Sequence, residues 1–177
     1  MDISIIIFLL GGLFLGWSLG ANDAANVFGT AVGTRMVRFK TAAIVCSIFV
    51  ILGAIISGAG TTETLGKLGA INALPGAFAA CVAAGLSVYL MTKVGLPVST
   101  TQAIVGAIVG WNLYTGSATN IKVLITILGT WVLCPVIAGL IAMGFFTLTK
   151  NFILKRKIHI LRLDAYTRTA LLLAGAF

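Results

Sequence analysis

The sequence predicts an all-α protein that crosses a membrane several times. Of its 177 residues, 59% are hydrophobic and 9% are charged, and the mean hydropathy is +1.12. Several stretches exceed the ~20 apolar residues that a helix needs to cross a bilayer. This composition excludes a soluble domain, and we expect a multi-pass protein of the plasma (inner) membrane in contact with lipid.

Positive charge is concentrated in two places. The net charge is +8; half of the basic residues lie in residues 150–168, and a smaller cluster lies in residues 35–40. In a soluble protein such clusters would suggest nucleic-acid binding, but in a membrane protein they are typical of cytoplasmic loops. We therefore expect no nucleic-acid partner, an outer N-terminus, and a basic cytoplasmic loop at residues 150–168.

The first apolar segment, residues 2–34, is about ten residues longer than one straight crossing needs. Between residues 3 and 34 the only charged side chain is Asp23, which is flanked by Asn22 and Asn26. An ionisable side chain inside a membrane is costly and usually marks an ion or substrate path. The excess length and the polar middle predict a helix that is broken near Asn22 and Asp23, as in transporters with discontinuous helices.

The rest of the chain alternates between apolar segments and polar breaks. The fourth segment is short for a full crossing, so it either crosses or forms a re-entrant helical hairpin with the third. The predicted elements, in order, are a second span at residues 41–58, a loop at 60–72, a third span at 74–91, a break at 92–97, a fourth element at 99–113, and a fifth span at 123–148.

Three parts follow from this order of elements. Residues 1–149 form a transmembrane unit that carries the polar motifs, residues 150–168 form the basic loop, and residues 169–177 begin a further transmembrane helix. Nine residues are too few to cross a membrane. We therefore expect the chain to be part of a longer protein.

The first polar motif predicts a site for a hard cation. On a helix, Asn22 and Asn26 share a face, and Asp23 adds a carboxylate beside them. Side-chain carbonyls and one carboxylate are oxygen ligands of the kind that Na⁺ takes. The alternative is that Asp23 only caps the second half of a broken helix, since Asp and Asn favour that position.

The second polar motif, residues 97–102, reads PVSTTQ and opens an apolar segment. Hydroxyl groups at a helix start can cap the helix and leave other first-turn N–H groups free. Free N–H groups and the positive end of the helix dipole favour an anion, to which Ser99, Thr100 and Thr101 would donate. A plain N-cap is the alternative. A cation beside this anion would lower the cost of burying it, and the two would bind cooperatively.

Together the two motifs resemble those of the inorganic phosphate transporter (PiT) family. Residues 20–29, GANDAANVFG, are similar to its signature, and residues 97–101 with the following AIVG are similar to its second motif. The resemblance implies two inverted repeats, of which this chain matches the first, N-terminal one. It also implies symport of inorganic phosphate driven by Na⁺ or H⁺. The chain would then need a second repeat half, or a homo-oligomer, as a partner.

The resemblance also implies roles for individual residues. A histidine is more usual at position 102, and Gln102 removes a titratable group there, which favours sodium as the coupling ion. No cofactor is expected, and the protein is not expected to be an enzyme. The implied phosphate ligands are Ser99, Thr100, Thr101, Asn26 and Gln102, and the implied sodium ligands are Asn22, Asp23, Asn26 and Thr100.

Three other functions fit parts of the sequence. A permease for another oxyanion such as sulfate would use the same hydroxyl groups and helix N-terminus. An intramembrane enzyme would need a base near Ser99 or Asp23, but the only histidine, His159, lies far away in the basic segment. A non-transporting membrane subunit would leave the paired polar motifs unexplained.

Overall fold

The computed structural model describes residues 3–69, 74–155 and 160–175, and every regular element in these ranges is an α-helix. This confirms the all-α prediction. The helices, in chain order, are α1 (Ile3–Gly33), α2 (Phe39–Leu68), α3 (Leu74–Lys93), α4 (Thr100–Thr115), α5 (Ile121–Lys155) and α6 (Ile160–Ala174).

Four of these helices, α1, α2, α3 and α5, are long and apolar enough to cross a membrane. Large apolar side chains cover their outer surfaces; Ile55 and Ile56 on α2, for example, are 75% and 78% exposed. In water such a surface would be costly, but against lipid tails it is the expected one. Helix α4 has 16 residues and rises only ~24 Å, less than the ~30 Å hydrocarbon core.

Helix α1 is continuous, so the predicted break near Asn22 and Asp23 is wrong. Its 31 residues rise ~46 Å without interruption. Ala21, Ala24 and Ala25 surround the polar residues, and alanine is the strongest helix former. The Asn22 side chain bonds to the Val98 carbonyl of the segment between α3 and α4, so a polar residue here does not require α1 itself to unwind.

Helix α2 also continues through most of the segment predicted as a loop at residues 60–72. It ends at Leu68, and residues 70–73 lie outside the described residues. Two threonines of this segment donate their hydroxyl groups within the helix, Thr62 to the Gly58 carbonyl at 2.9 Å and Thr64 to the Gly60 carbonyl at 3.0 Å. Glu63 and Lys67 pair one turn apart on its exposed surface. The polar and Gly-rich composition of residues 60–72 therefore did not predict where α2 ends.

Helices α3 and α4 form a helical hairpin, one of the two arrangements expected for the fourth segment. Helix α3 runs parallel to α1, since Phe78 packs on Phe8 and Tyr89 on Trp17, with ring centroids 5.9 Å and 5.6 Å apart. Helix α4 returns beside α3, which brings Trp111 against Gly76. Residues 94–99 form the hairpin tip.

The outer end of α4 lies beside the end of α2. The Asn120 N–H donates to the Leu68 carbonyl at 3.0 Å, and the buried Asn112 amide packs directly on Gly69. The tip, in contrast, reaches α1 at Asn22, where eleven more residues of α1 remain. The hairpin tip therefore ends partway along α1; whether the hairpin crosses the membrane or re-enters stays a prediction.

The segment predicted as a basic loop at residues 150–168 is largely helical. Helix α5 extends to Lys155 and α6 begins at Ile160; residues 156–159, which include His159, lie outside the described residues. Lys and Arg are good helix formers, and Arg168 pairs with Asp164 one turn away at 2.8 Å. The cytoplasmic location of this segment stays a prediction.

Helix α6 places its C-terminal part against the end of α1. Leu171 and Leu172 pack on a buried cluster formed by Phe28, Ala31 and Val37. The basic turn between α1 and α2 and the basic helix α6 therefore lie at the same end of the molecule.

The α1–α3 contact depends on one of two adjacent glycines. A Cβ at Gly11 would lie 2.8 Å from the Phe78 ring and 3.1 Å from its carbonyl oxygen, whereas at Gly12 it would meet no atom of the described residues within 4 Å. We expect Gly11→Ala to lower the free energy of unfolding by ~1–3 kcal/mol through overpacking. Gly12→Ala should leave it unchanged or raise it by up to ~1 kcal/mol through helix propensity.

Thermal unfolding of the purified protein in detergent, followed by circular dichroism, measures both changes. Equal effects of the two substitutions would contradict the parallel α1–α3 contact.

Candidate functional site

The two polar motifs meet where the hairpin tip touches α1. The Asn22 side-chain amide donates to the Val98 carbonyl oxygen at 3.2 Å, although the two residues are 76 positions apart. Asn22 is 4% exposed. A buried amide needs hydrogen-bond partners, and the non-helical backbone of the tip supplies a carbonyl that a helix would not leave free. The polar middle of α1 is therefore built to receive the tip.

Asp23 faces the first residue of α4. The Thr100 Oγ1 atom lies 3.4 Å from both carboxylate oxygens of Asp23, and Thr100 is 6% exposed. These distances are longer than the usual O–H···O range of roughly 2.5–3.0 Å. The hydroxyl group and the carboxylate therefore face each other across a wider gap than a direct hydrogen bond leaves.

Ser99 is the N-cap of α4. Its backbone is extended, with φ −81° and ψ 118°, and its Oγ accepts from the Gln102 N–H at 3.3 Å. The Ala103 N–H donates to the Ser99 carbonyl at 3.0 Å. Within the described residues, the N–H groups of Thr100 and Thr101 have no acceptor. The capping interpretation thus holds for Ser99, and two N–H groups remain free at the helix start.

The remaining predicted residues are less closely assembled. The Asn26 amide lies 3.5 Å from the Asn22 side-chain oxygen, at the outer limit of a hydrogen bond, and Asn26 is exposed. Thr101 and Gln102 are also exposed. The structure therefore brings Asn22, Asp23 and Thr100 together, and leaves Asn26 and Gln102 on open surface beside them.

Thr101 lies on a different face of α4 from Thr100. It lines a cavity of about 260 Å³ between α2, α4 and α5. Three further threonines, Thr61, Thr64 and Thr130, line the same cavity. Thr61 and Thr64 were not predicted because residues 60–72 were expected to be a loop, and Thr130 lies inside the apolar span predicted at residues 123–148. The signal that could have found all three is the recurrence of hydroxyl residues within apolar segments.

The site suits a hard monovalent cation better than a transition metal. In the part of the chain that the structure describes, no group of three or more His, Cys, Asp or Glu residues could hold a metal ion. The oxygen atoms of Asp23, Thr100 and Asn22 remain. One carboxylate balances one positive charge, and hydroxyl and amide oxygens are neutral ligands of the kind that hard cations accept.

Comparison with known proteins agrees with this arrangement. A protein of Thermococcus kodakarensis with a phosphate-permease name is 34% identical over 167 residues, which are 89% of this chain and 41% of that protein. A sodium-dependent phosphate transporter of Plasmodium falciparum is 33% identical over 81% of this chain and 23% of its own length. The chain thus spans less than half of the length of these relatives.

A solved structure also has the same fold. It is described as the sodium-dependent phosphate transporter, and it superposes with a TM-score of 0.77 at 26% identity, over 98% of this chain and 53% of that one. Residues 19–174 match the sequence profile described as the phosphate transporter family. This match covers both polar motifs and most of the chain. The chain therefore belongs to the phosphate transporter family.

Proposed function

We propose that the chain is the N-terminal half of a sodium-coupled phosphate symporter. The observation that carries this proposal is the position of Thr100, which faces the Asp23 carboxylate with its side chain and opens α4 with its backbone. A cation held on one side of Thr100 and an anion held by the helix start would lie next to each other. The relatives named as sodium-dependent phosphate transporters support the choice of ions.

The sodium ion would bind between Asp23 and Thr100, with Asn22 and Asn26 contributing side-chain oxygens. Calcium is bound by oxygen atoms at roughly 2.3–2.6 Å, and Na⁺ has nearly the same radius. Two such ligands at a right angle about the ion would be ~3.4 Å apart. The 3.4 Å separation of Thr100 Oγ1 from each Asp23 oxygen has this spacing.

Phosphate would bind at the start of α4. The free N–H groups of Thr100 and Thr101 and the positive end of the helix dipole favour an anion there. Ser99 and Gln102 are exposed at this helix start, Asn26 is exposed on α1 one turn from Asn22, and all three can add donors. Among the described residues, Asp23 forms no ion pair with a lysine or an arginine. The bound cation would therefore supply the positive charge beside the anion.

This arrangement explains why the two ions would move together. An unpaired carboxylate inside a membrane costs a few kcal/mol or more, and a bound Na⁺ offsets this cost. The same Na⁺ lowers the cost of bringing in an anion, and by linkage the anion raises the affinity for Na⁺ to the same extent.

A second repeat half or a second copy of the chain would complete the site. Sites in transporters of this kind form between two repeats, and the chain spans 41% of the T. kodakarensis relative. The side chains of Ser99, Asn26 and Gln102 are exposed, which leaves room for further ligands.

The orientation of the chain in the membrane would follow from its charge. The end that carries Arg35, Arg38 and the basic α6 would lie on the cytoplasmic side.

Replacement of Asp23 tests the cation site. In the complete transporter, formed with the second half, we expect Asp23→Asn to lower sodium-driven uptake of labelled phosphate by at least about tenfold, because the amide cannot neutralise the ion. Asp164→Asn is the matched control: it makes the same change on exposed α6, where Asp164 pairs with Arg168, and should leave uptake unchanged. Full uptake with Asp23→Asn would rule out the proposed role.

Replacement of Thr100 distinguishes an effect on cation binding from an effect on anion binding. Thr100→Val removes one oxygen ligand and keeps the shape, so the sodium concentration for half-maximal uptake should rise about fivefold, equivalent to ~1 kcal/mol. At saturating sodium the maximal rate should change less. Thr115→Val is the control, since the Thr115 hydroxyl donates to the Trp111 carbonyl at 3.0 Å at the far end of α4. An unchanged sodium dependence would place the cation elsewhere.

A further inference from the structure

One side of α1 continues from the site at Asp23 toward the turn that leads to α2. Asn26, Gly29, Thr30 and Gly33 recur at the i, i+3, i+4 and i+7 spacing that places residues on one side of a helix. All four are exposed, and we call them the α1 polar face. Asp23 lies one turn before Asn26, so this face begins at the site.

The α1 polar face is not covered by any part of the chain that the structure describes. A Cβ atom added at Gly29 or at Gly33 would meet no atom of the described residues within 4 Å. The packed side of the same turns carries Phe28 and Ala31, which are 4% and 3% exposed and belong to the cluster that Leu171 of α6 packs against. The last turns of α1 therefore bury an apolar side and leave a polar side open.

The polar side chains continue from Asp23 in one direction only. Seven residues are close to two helical turns, so Thr30 and Gly16 lie two turns from Asp23 on the same side of α1, in opposite directions. Toward the C-terminus this side carries an amide and a hydroxyl group. Toward the N-terminus it carries glycine and leucine, at Gly12, Gly16 and Leu19. Polar contact for an ion is thus available only between Asp23 and the C-terminal end of α1.

An exposed amide is an unfavourable surface toward lipid tails, because hydrocarbon offers no hydrogen-bond partner. The Asn26 amide has one long contact, 3.5 Å from the Asn22 oxygen, and within the described residues no hydrogen bond satisfies the Thr30 hydroxyl group. Water or a passing ion can supply the missing partners. The α1 polar face therefore fits an aqueous path better than a lipid contact.

The α1 polar face ends beside two cations. The rise from Asp23 to Gly33 is ~15 Å, and Arg35 follows in the turn with a positive φ of 61°. Arg35 and Arg38 are exposed, and among the described residues neither forms an ion pair. Unpaired positive charge at the mouth of a path raises the local concentration of an anion there.

We propose that the α1 polar face lines the path along which sodium and phosphate pass between the site at Asp23 and the end of the molecule that carries Arg35. This inference rests on the proposed function and adds to it the route by which the ions leave the site. Asn26 and Thr30 replace part of the hydration of a passing ion, and Arg35 and Arg38 attract phosphate at the mouth. Because basic segments favour the cytoplasmic side, the path is the cytoplasmic exit.

Cysteine accessibility measures whether water reaches the α1 polar face. The complete transporter, formed with the second half, is prepared with its native cysteines replaced by alanine and with either Thr30→Cys or Gly16→Cys. A membrane-impermeant anionic thiosulfonate is added to the cytoplasmic side in inside-out vesicles. We expect it to modify Thr30→Cys at least about tenfold faster than Gly16→Cys, because the reactive thiolate forms only where it is hydrated.

Two further positions make this comparison specific to the face. Ala31→Cys changes the residue next to Thr30, but Ala31 is 3% exposed, so it should react as slowly as Gly16→Cys unless the whole end of α1 is open. Gly33→Cys repeats the test on the α1 polar face, where the added side chain meets no atom of the described residues within 4 Å. Uptake of labelled phosphate by each variant checks that it folds.

Removal of one positive charge tests the mouth of the path. Arg35→Asn keeps a residue that tolerates a positive φ. We expect the anionic reagent to modify Thr30→Cys about threefold more slowly in this background and a cationic reagent to react no more slowly. Lys122→Asn removes an exposed charge at the start of α5, at the opposite end of α2 from Arg35, and should change neither rate.

The outcomes separate the path from the proposed function. Gly16→Cys reacting as fast as Thr30→Cys, or no reaction of Thr30→Cys and Gly33→Cys from the cytoplasmic side while phosphate uptake persists, would overturn the path alone. Absence of phosphate uptake by the unmodified complete transporter in a sodium gradient would overturn the proposed function, and with it the assignment of these ions to the path.

Discussion

The contact between α1 and the hairpin tip is the interaction on which the rest of the arrangement depends. Asn22 donates to the Val98 carbonyl from a buried position, and this contact sets the depth at which α3 ends and α4 begins. Because α4 begins there, Thr100 faces Asp23 and Thr101 faces the opposite cavity. The aromatic and glycine contacts between α1 and α3 hold the tip at this level.

Much of the fold and part of the site were predictable from the sequence. Hydropathy and length identified the spans, and the short fourth segment pointed to a hairpin. The additional break predicted in α1 is wrong, because the sequence shows that Asn22 and Asp23 are polar but not which partner they find. Alanine neighbours keep α1 helical, while the break predicted at residues 92–97 is present at residues 94–99, where the polar groups of α1 meet exposed backbone.

The sequence could not predict that the three hydroxyl residues of the second motif lie in different environments. Three consecutive hydroxyl residues give no indication of their separate environments until the first residue of α4 and its neighbours are known. In the structure Ser99 caps the helix, Thr100 faces a carboxylate and Thr101 lines a cavity. Likewise, Thr64 becomes part of that cavity only because α2 continues past Gly60. These assignments depend on tertiary contacts between helices that are far apart in sequence.

The two ends of the α3–α4 hairpin are held by different kinds of contact. The outer end of α4 is fixed beside α2 by the Asn120–Leu68 backbone hydrogen bond and the packing of Asn112 on Gly69. At its tip, the polar contacts with α1 are the hydrogen bond from the Asn22 side chain and the facing side chains of Thr100 and Asp23. Bending of the tip away from α1 would therefore break these contacts and leave the backbone hydrogen bonds of all three helices intact. The ions would therefore bind at the end of the hairpin that is joined to α1 by side-chain contacts and not by backbone hydrogen bonds.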